Sequence, residues 1–156
     1  MPFTPLFEAV YGPDDPRLLV ALTSLRDTLG ALGDRAAVRR LLDRMRAIRE
    51  RVGAQFIVGV RYTGDEDLPG GLTREDGLEI SRRLKDSGMV DFLNVVRGHI
   101  DTDAGLTDLI PVQGMRSAPH LDFAGEVRAA TGFPTFHAAR IQDVETARHA
   151  IASGKL

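Results

Sequence analysis

The sequence contains no cysteine, and none of its apolar runs approaches the length of a membrane span. The lack of cysteine excludes disulfide bonds, thiolate catalysis and cysteine-ligated zinc or iron–sulfur centres in this chain. A helix needs about 20 apolar residues to cross a bilayer, so we expect no membrane partner. The N-terminus, MPFTPLFEAV, lacks a basic region followed by an apolar core. This argues against a signal peptide and favours a cytoplasmic location.

The chain also has little net charge. Its 20 lysine and arginine residues nearly balance its 22 aspartate and glutamate residues, giving a formal net charge of -2. This balance gives no reason to expect nucleic acid as a partner. A length of 156 residues, with 43% hydrophobic and 27% charged residues, fits one ordinary globular domain.

Two helices are predicted before the first strand. Leucines at helical spacing predict the first helix over Leu18–Leu29. Asp34 is the predicted cap of the second helix, which should end at Gly53. One face of this second helix is apolar and the other is rich in arginine. Such a basic face either binds phosphate or nucleic acid, or is simply solvated.

Three short apolar runs then follow, namely Phe56–Val60, Met89–Val96 and a run beginning at Phe133. Continuous apolar runs of this length are typical of strands buried on both faces of a parallel sheet. Helix-start signals come after them, including a capping box at Thr73, with Asp in place of Glu, and a cap at Asp143. Gly132 is the predicted stop of the helix before the third run. The alternation of strands and helices predicts βα units around a parallel sheet.

An arginine follows each of the three predicted strands: Arg61, Arg97 and Arg140. The carboxyl ends of parallel strands meet at the edge where α/β folds bind ligands. The three arginines therefore predict a positive rim for an anionic ligand such as a phosphate. Arg61, placed at the end of a buried strand, needs an anionic or carbonyl-rich partner, because an unpaired buried charge is costly. The alternative is a salt bridge from Arg61 to Asp65 or Glu66.

The segment before the last of these arginines consists of small residues. Ala138 and Ala139 precede Arg140 and would let a phosphate approach the backbone amides, while the helix starting near Asp143 adds its positive end. Small residues suit a tight turn equally well. His137 is either a general base or flavin contact, or a histidine packed in the core.

The segment Ile100–Leu121 is predicted to be a long polar loop, and loops of this length are usually functional or mobile. Asp101 and Asp103 lie in it and are candidates for substrate contacts. Together with His99 they alternate as in a metal site, but no second cluster of ligands supports metal binding. His120 is interpreted as structural. Three strands flanked by helices cannot close a barrel, so the sequence predicts a piece of a larger fold with an unpaired sheet edge.

Three runs of the sequence, IVGVRYTGDEDLPGGLTREDGLEISRRL, VDFLNVVRG and FPTFHAARIQDVETARHAIASGK, resemble the Old Yellow Enzyme family of FMN-dependent oxidoreductases. The resemblance is to the branch containing trimethylamine dehydrogenase, 2,4-dienoyl-CoA reductase and N-methylproline demethylase, and it covers Leu41–Lys155. It implies an α/β fold that forms part of a (β/α)8 TIM barrel, with FMN at the carboxyl ends of the strands. The three strands would be the fifth, sixth and seventh, and residues 1–40, which match nothing in the family, would form a helical N-terminal extension.

The resemblance also implies roles for single residues. Arg61 matches the arginine that faces the flavin and stabilises negative charge on its reduced ring. Ala138, Ala139 and Arg140 match the segment that holds the FMN phosphate; the family commonly has glycine where this chain has Ala139. The long loop with its two aspartates, Asp101 and Asp103, matches the region that lines the substrate pocket.

Several family features are missing from the sequence. The first four strands, with the paired histidine motif, are absent. Leu32–Arg39 reads LGDRAAVR where the family has a GGSLxNR segment. The cysteine cluster for an iron–sulfur centre is also absent. The main hypothesis is an FMN-dependent oxidoreductase, with NAD(P)H as a reductant, acting on a small molecule that is an enone, an enoyl thioester or an amine. The alternatives are a non-catalytic remnant, a half-barrel that self-associates or needs a complementing half, and another phosphate-binding barrel fragment without flavin.

Overall fold

The computed structural model describes the backbone of residues 35–156 and the side chains from residue 42 onward. The helix predicted over Leu18–Leu29 lies outside the described residues. Within them the chain forms five helices and three strands, in the order α1 (Arg35–Val52), β1 (Gly59–Asp65), α2 (Arg74–Asp86), β2 (Phe92–Arg97), α3 (Asp103–Leu109), α4 (Leu121–Thr131), β3 (Thr135–His137) and α5 (Val144–Ala152).

The three strands form one parallel sheet in the order β1-β2-β3, which confirms the predicted parallel arrangement. Their register places Arg61 beside Asn94, and Asn94 beside Phe136. The next row across the sheet consists of Tyr62, Val95 and His137. Successive side chains in a strand point to opposite faces, so these two rows lie on opposite sides of the sheet.

One face of the sheet is covered by α2 and α4. The core on this side includes Tyr62, Ile80, Leu84, Leu93, Val95, Phe123 and Val127. The Tyr62 hydroxyl contacts that of Ser81, and burial raises the pKa of Tyr62 to about 12. The opposite face carries Arg61, Asn94 and Phe136; the first is exposed and the last is 54% exposed. In the described part of the chain, the sheet is therefore covered on one side only.

Local signals set most of the helix ends. Thr73 caps α2 through a capping box in which its amide donates to the Asp76 carboxylate at 3.0 Å and its hydroxyl accepts from the Asp76 amide at 3.3 Å. Asp143 caps α5 by accepting from the Thr146 amide at 2.6 Å. Gly132 ends α4 with a left-handed φ of 65°. These three predicted boundary signals are confirmed.

The first strand differs from its prediction. Phe56 and Ile57 precede β1 and are 42% and 71% exposed, so the apolar run is not itself the strand. Within β1 the burial alternates between exposed Arg61 and buried Tyr62. The prediction of a strand buried on both faces is therefore wrong for the described residues. An alternating pattern is what a sheet covered on one side requires.

Two other boundaries are corrected. β2 begins at Phe92 rather than Met89, and β3 begins at Thr135 rather than Phe133. The predicted long loop contains the seven-residue helix α3, about two turns long. The Thr102 hydroxyl caps it by accepting from the Gly105 amide at 3.0 Å. Among the described helices, none has both the length and the apolar character that a membrane span requires.

Candidate functional site

Arg61 lies near the middle of β1 and not at its carboxyl end, which corrects the prediction. Its side chain is exposed and makes no hydrogen bond or ion pair with the described residues. The alternative salt bridges are not formed, because Asp65 pairs with Arg97 and Glu66 accepts from the Leu72 amide at 2.9 Å. Among the described residues, Arg61 is therefore an unpaired cation, on the face of the sheet that no described helix covers.

The neighbours of this cation make the face suitable for a polar aromatic ligand. Asn94 lies beside Arg61, and its Oδ1 is buried without a hydrogen-bond partner among the described residues. Phe92 and Phe136 pack edge to face, with 4.8 Å between ring centroids. The Phe92 ring occupies the space above Gly59, where an added Cβ would lie 2.0 Å from it. Within the described residues, the face thus combines a guanidinium without a partner, a buried amide oxygen without a partner and an apolar aromatic surface.

The second strand-end arginine, Arg97, is not available to a ligand in the way the sequence suggested. Its Nε donates to Asp65 at 2.7 Å, and its Nη2 lies 2.9 Å from the Asp67 carboxylate. Burial lowers the pKa of Arg97, but the hydrogen bond to Asp65 and the nearby carboxylate charges outweigh this and leave the pKa above its usual value. The predicted positive rim is therefore wrong at Arg97, whose charge is balanced by two aspartates.

The backbone after β3 is strained at two adjacent residues. Ala139 has a φ of 146° and Arg140 a φ of 49°, a region that favours glycine. Non-glycine residues held there cost of the order of 1–3 kcal/mol and cluster at functional sites. Ala138, which precedes them, is exposed. The strain thus falls within the segment that the sequence predicts to bind a phosphate.

The strained segment is held in place by the loop between α3 and α4. The Arg140 guanidinium donates from Nε to the Met115 carbonyl at 2.8 Å and from Nη1 to the Val112 carbonyl at 2.7 Å. In return, the Arg140 carbonyl accepts from the Ser117 hydroxyl at 3.0 Å and from the Ala118 amide at 3.2 Å. Arg140 is therefore bonded to the loop through both its side chain and its backbone.

These contacts still leave donors for an anion. A guanidinium carries five N–H groups, and the two bonds to Val112 and Met115 use two of them. The small side chains of Ala138 and Ala139 leave the backbone accessible. The donor set of Arg140 and its neighbours therefore fits a phosphate group.

His137 and His120 form a pair on the other, helix-covered side of the sheet. His137 donates from Nδ1 to the Val95 carbonyl at 3.1 Å, and His120 donates from Nε2 to the Asp108 carbonyl at 2.7 Å. Their second ring nitrogens are buried without a partner among the described residues, and the ring centroids lie 6.2 Å apart. Burial lowers the pKa of His137, as do the charges of His120 and Arg61, while the bond to Val95 opposes this. This geometry favours the packed-histidine interpretation of both residues.

The predicted substrate-contact residues lie at the start of α3. Asp103 is exposed in its first turn, and Asp101 is exposed two residues earlier. His99 is held by the Glu66 carbonyl at 2.9 Å and the Thr102 hydroxyl at 3.2 Å. In the part of the chain that the structure describes, no group of three or more His, Cys, Asp or Glu side chains is placed to hold a metal ion.

The residue that the sequence reasoning missed is Asn94. A signal was present, because Asn94 is a lone amide within the apolar run MVDFLNVV. Its importance depends on lying beside Arg61 across the sheet, a relationship set by strand register. The Val112 and Met115 carbonyls were also unforeseen, since backbone acceptors have no sequence signature.

In the described part of the chain, the fold and these contacts define a set of parallel βα units with an unpaired arginine on one sheet face and a strained strand end. No protein-family model matches the chain. A probable N-methylproline demethylase of Rhizobium meliloti (strain 1021) is 67% identical over 127 residues, which cover 81% of this chain and 18% of that protein. A multifunctional alkene reductase/demethylase of Caballeronia cordobensis is 41% identical over 120 residues, covering 76% of this chain and 17% of that one.

A solved structure has the same fold. A 2-naphthoyl-CoA reductase in complex with 2-naphthoyl-CoA superposes with a TM-score of 0.67 at 21% identity, covering 77% of this chain and 18% of that chain. With these relatives, the chain belongs to the Old Yellow Enzyme family of oxidoreductases. It spans less than a fifth of the length of the relatives it matches.

Proposed function

We propose that this chain forms part of a (β/α)8 barrel that binds FMN and transfers hydride to or from a small molecule, which is an enone, an enoyl thioester or an amine. The observation that carries the proposal is the unpaired guanidinium of Arg61 beside the unpaired Oδ1 of Asn94, on a sheet face with no described helix over it. The relatives whose names include demethylase and alkene reductase support the range of substrates.

FMN, when bound, would supply the hydride acceptor and donor. The protein residues would bind and orient it. Arg61 would place a fixed positive charge where negative charge develops on the reduced ring, and such preorganised charge is often the largest single contribution to catalysis. Ala138, Ala139 and Arg140 would hold the phosphate through backbone amides and the remaining guanidinium donors. NAD(P)H would serve as the reductant.

The remaining parts of the site would come from polypeptide that covers the exposed sheet face. Strand β1 has a hydrogen-bonded neighbour on one side only among the described strands, and Phe136 on the uncovered face is 54% exposed. Both features fit further barrel strands, supplied by a complementing barrel half or by self-association. Asp101 and Asp103 would then face the substrate from the loop end of the barrel.

Visible spectroscopy of the purified chain with added FMN tests the proposal. We expect a perturbed flavin spectrum that NAD(P)H bleaches, and an FMN affinity about tenfold or more weaker in Arg61→Ala, because a charge-assisted contact contributes roughly 1.5–3 kcal/mol. Arg82→Ala is the matched control, since Arg82 is an exposed arginine on α2, on the covered side of the sheet. Equal FMN affinities for Arg61→Ala and the unchanged protein would contradict the role given to Arg61.

A second candidate is a phosphate-binding barrel fragment without flavin. The strained Ala139–Arg140 segment favours it, because this segment fits any phosphate monoester. Competition distinguishes the two candidates. A simple sugar phosphate that displaces FMN at equal concentration would favour the second candidate, whereas a clear preference for FMN supports the first.

A further inference from the structure

The Arg140 guanidinium holds one particular turn of the loop between α3 and α4. The Val112 and Met115 carbonyls that it binds are three residues apart and belong to the same turn, which the Met115 amide closes by donating to the Val112 carbonyl at 3.2 Å. Gly114, with a φ of 95°, makes the turn possible. We call residues 112–115 the clamped turn.

Two neighbouring bonds strengthen this attachment. The Ser117 hydroxyl and the Ala118 amide both donate to the Arg140 carbonyl, so the residues after the clamped turn are fixed to the same residue. Further along the loop, His120 donates to the Asp108 carbonyl at 2.7 Å, which ties the end of the loop back to α3. The attachment of residues 112–118 to the strand end after β3 therefore runs through Arg140, beside the apolar packing of Ala118 against α5.

We propose that Arg140 is a positioning residue: its guanidinium fixes the clamped turn, and a phosphate bound at the same guanidinium stabilises that attachment further. The phosphate part of this inference depends on the proposed function. The planar fork of arginine can bond the two carbonyls and still offer N–H groups to an anion, whereas a lysine ammonium lacks this geometry.

The direction of the coupling follows from conformational entropy. Holding the Arg140 side chain in one rotamer costs conformational entropy. When only the turn or only the anion binds the guanidinium, that single interaction must offset the whole cost. Once one of them has fixed the guanidinium, the other binds without that cost, so the two effects are positively coupled. The loop between α3 and α4 is thus predicted to become more ordered when the phosphate site is filled.

Hydrogen exchange without any ligand tests the positioning role. The reporter is the Ala118 amide, which bonds to the Arg140 carbonyl and is not itself altered by a side-chain change. Arg140→Lys keeps the charge but loses the fork, and we expect Ala118 to exchange about tenfold faster, because exchange reports the local opening equilibrium. Ser117→Ala is the matched control; it removes one bond to Arg140 but leaves the guanidinium contacts, so we expect a change of about threefold or less.

The Thr146 amide in α5 serves as the internal reference for folding, because Asp143 and not Arg140 accepts its hydrogen bond. Equal Ala118 exchange in Arg140→Lys and the unchanged protein, with Thr146 still protected, would overturn the positioning role. If Arg140→Lys loses protection at both amides, Arg140→Gln is measured under milder conditions, and selective loss at Ala118 is again the expected result.

The coupling is tested with FMN and with riboflavin, which lacks the phosphate. We expect FMN, but not riboflavin, to slow exchange at residues 112–118 about threefold or more, and this effect to be absent in Arg140→Lys. FMN that binds without slowing this exchange would overturn the coupling while leaving the proposed function intact. A complete lack of FMN binding would overturn both the proposed function and the coupling, and the ligand-free exchange would then decide the positioning role alone.

Discussion

The carboxylate of Asp65, at the end of β1, accepts a hydrogen bond at 2.7 Å from Nε of Arg97, at the end of β2. The Asp65 side chain is only 12% exposed, and Arg97 also reaches the more exposed Asp67 at 2.9 Å. The pair joins the carboxyl ends of two adjacent strands. Because Asp65 is occupied in this way, Arg61 of β1 has no ion-pair partner among the described residues.

The Asp65→Asn variant tests how much this pair stabilises the fold. Hydrogen bonds to charged groups contribute about 1.5–3 kcal/mol, so we expect the free energy of unfolding in urea to fall by about 2 kcal/mol. The single amide oxygen can still accept from the Asp67 amide, as Asp65 Oδ1 does at 3.0 Å, but the amide NH2 group then faces Arg97 Nε. The variant therefore loses both the negative charge and the hydrogen bond from Arg97. Asp67→Asn is the control, and we expect it to cost less than about 1 kcal/mol, as is usual for exposed ion pairs. Equal losses in the two variants would contradict the account.

A second prediction concerns the packing of α2 on β1. Gly77 lies so close to the strand that an added Cβ would be 1.8 Å from the Gly64 carbonyl oxygen. Alanine is preferred to glycine in a helix by about 1 kcal/mol. This preference does not offset the clash, because the Cβ would meet backbone, which cannot move aside as a flexible side chain can. We therefore expect Gly77→Ala to lower the free energy of unfolding by at least about 1–3 kcal/mol, the usual cost of overpacking.

Gly125 in α4 provides the matched comparison. An added Cβ there would meet only the flexible side chain of Lys155, at 2.8 Å from its Cγ. We expect Gly125→Ala to be neutral or to stabilise the protein by up to about 1 kcal/mol, since helix propensity then decides. The packing account is contradicted if urea unfolding ranks Gly77→Ala as the more stable of the two.

Sequence reasoning succeeded where the determinants are local. The caps at Thr73 and Asp143 and the stop at Gly132 each depend on residues within one helical turn, and all three are confirmed. The parallel sheet was also predictable, because strand and helix patterns alternate along the chain. The family was recognised from motifs around Arg61 and Arg140.

What failed depends on contacts between distant residues. Arg61 was placed at a strand end because Phe56 and Ile57 are apolar, yet the strand begins only where Phe92 pairs with Gly59. The pairing of Arg97 with Asp65 depends on the register of two strands, which a single sequence does not specify. The attachment of Arg140 to the 112–115 turn uses backbone carbonyls, which every residue has.

A third prediction concerns the strained segment after β3. Ala139 has a φ of 146°. Relieving a backbone conformation of this kind stabilises the folded protein by about 1–3 kcal/mol. Glycine also raises the entropy of the unfolded chain, which costs roughly 0.4–1 kcal/mol of that gain. We expect Ala139→Gly to raise the free energy of unfolding by about 1 kcal/mol. Ala138→Gly should instead lower it by about 0.5–1 kcal/mol, because Ala138 has no positive φ to relieve. Destabilisation of similar size in both variants would show that the backbone at Ala139 is not strained.

The last prediction concerns acid stability and His137. Burial lowers the pKa of this histidine, and the charges of His120 and Arg61 act in the same direction. Below the usual histidine pKa of about 6.5, the unfolded chain binds a proton that the folded protein does not, so stability falls as the pH falls toward the folded-state pKa. One such group changes the free energy of unfolding by at most about 1.4 kcal/mol per pH unit.

We expect His137→Gln to reduce this slope between pH 7 and pH 5, measured by urea unfolding, because glutamine does not titrate and its amide N–H can donate to the Val95 carbonyl, as His137 Nδ1 does. His149→Gln is the control, since His149 is exposed on α5, and the slope should persist in that variant. A His137→Gln protein with the full slope of the unchanged chain would assign the acid sensitivity to another group.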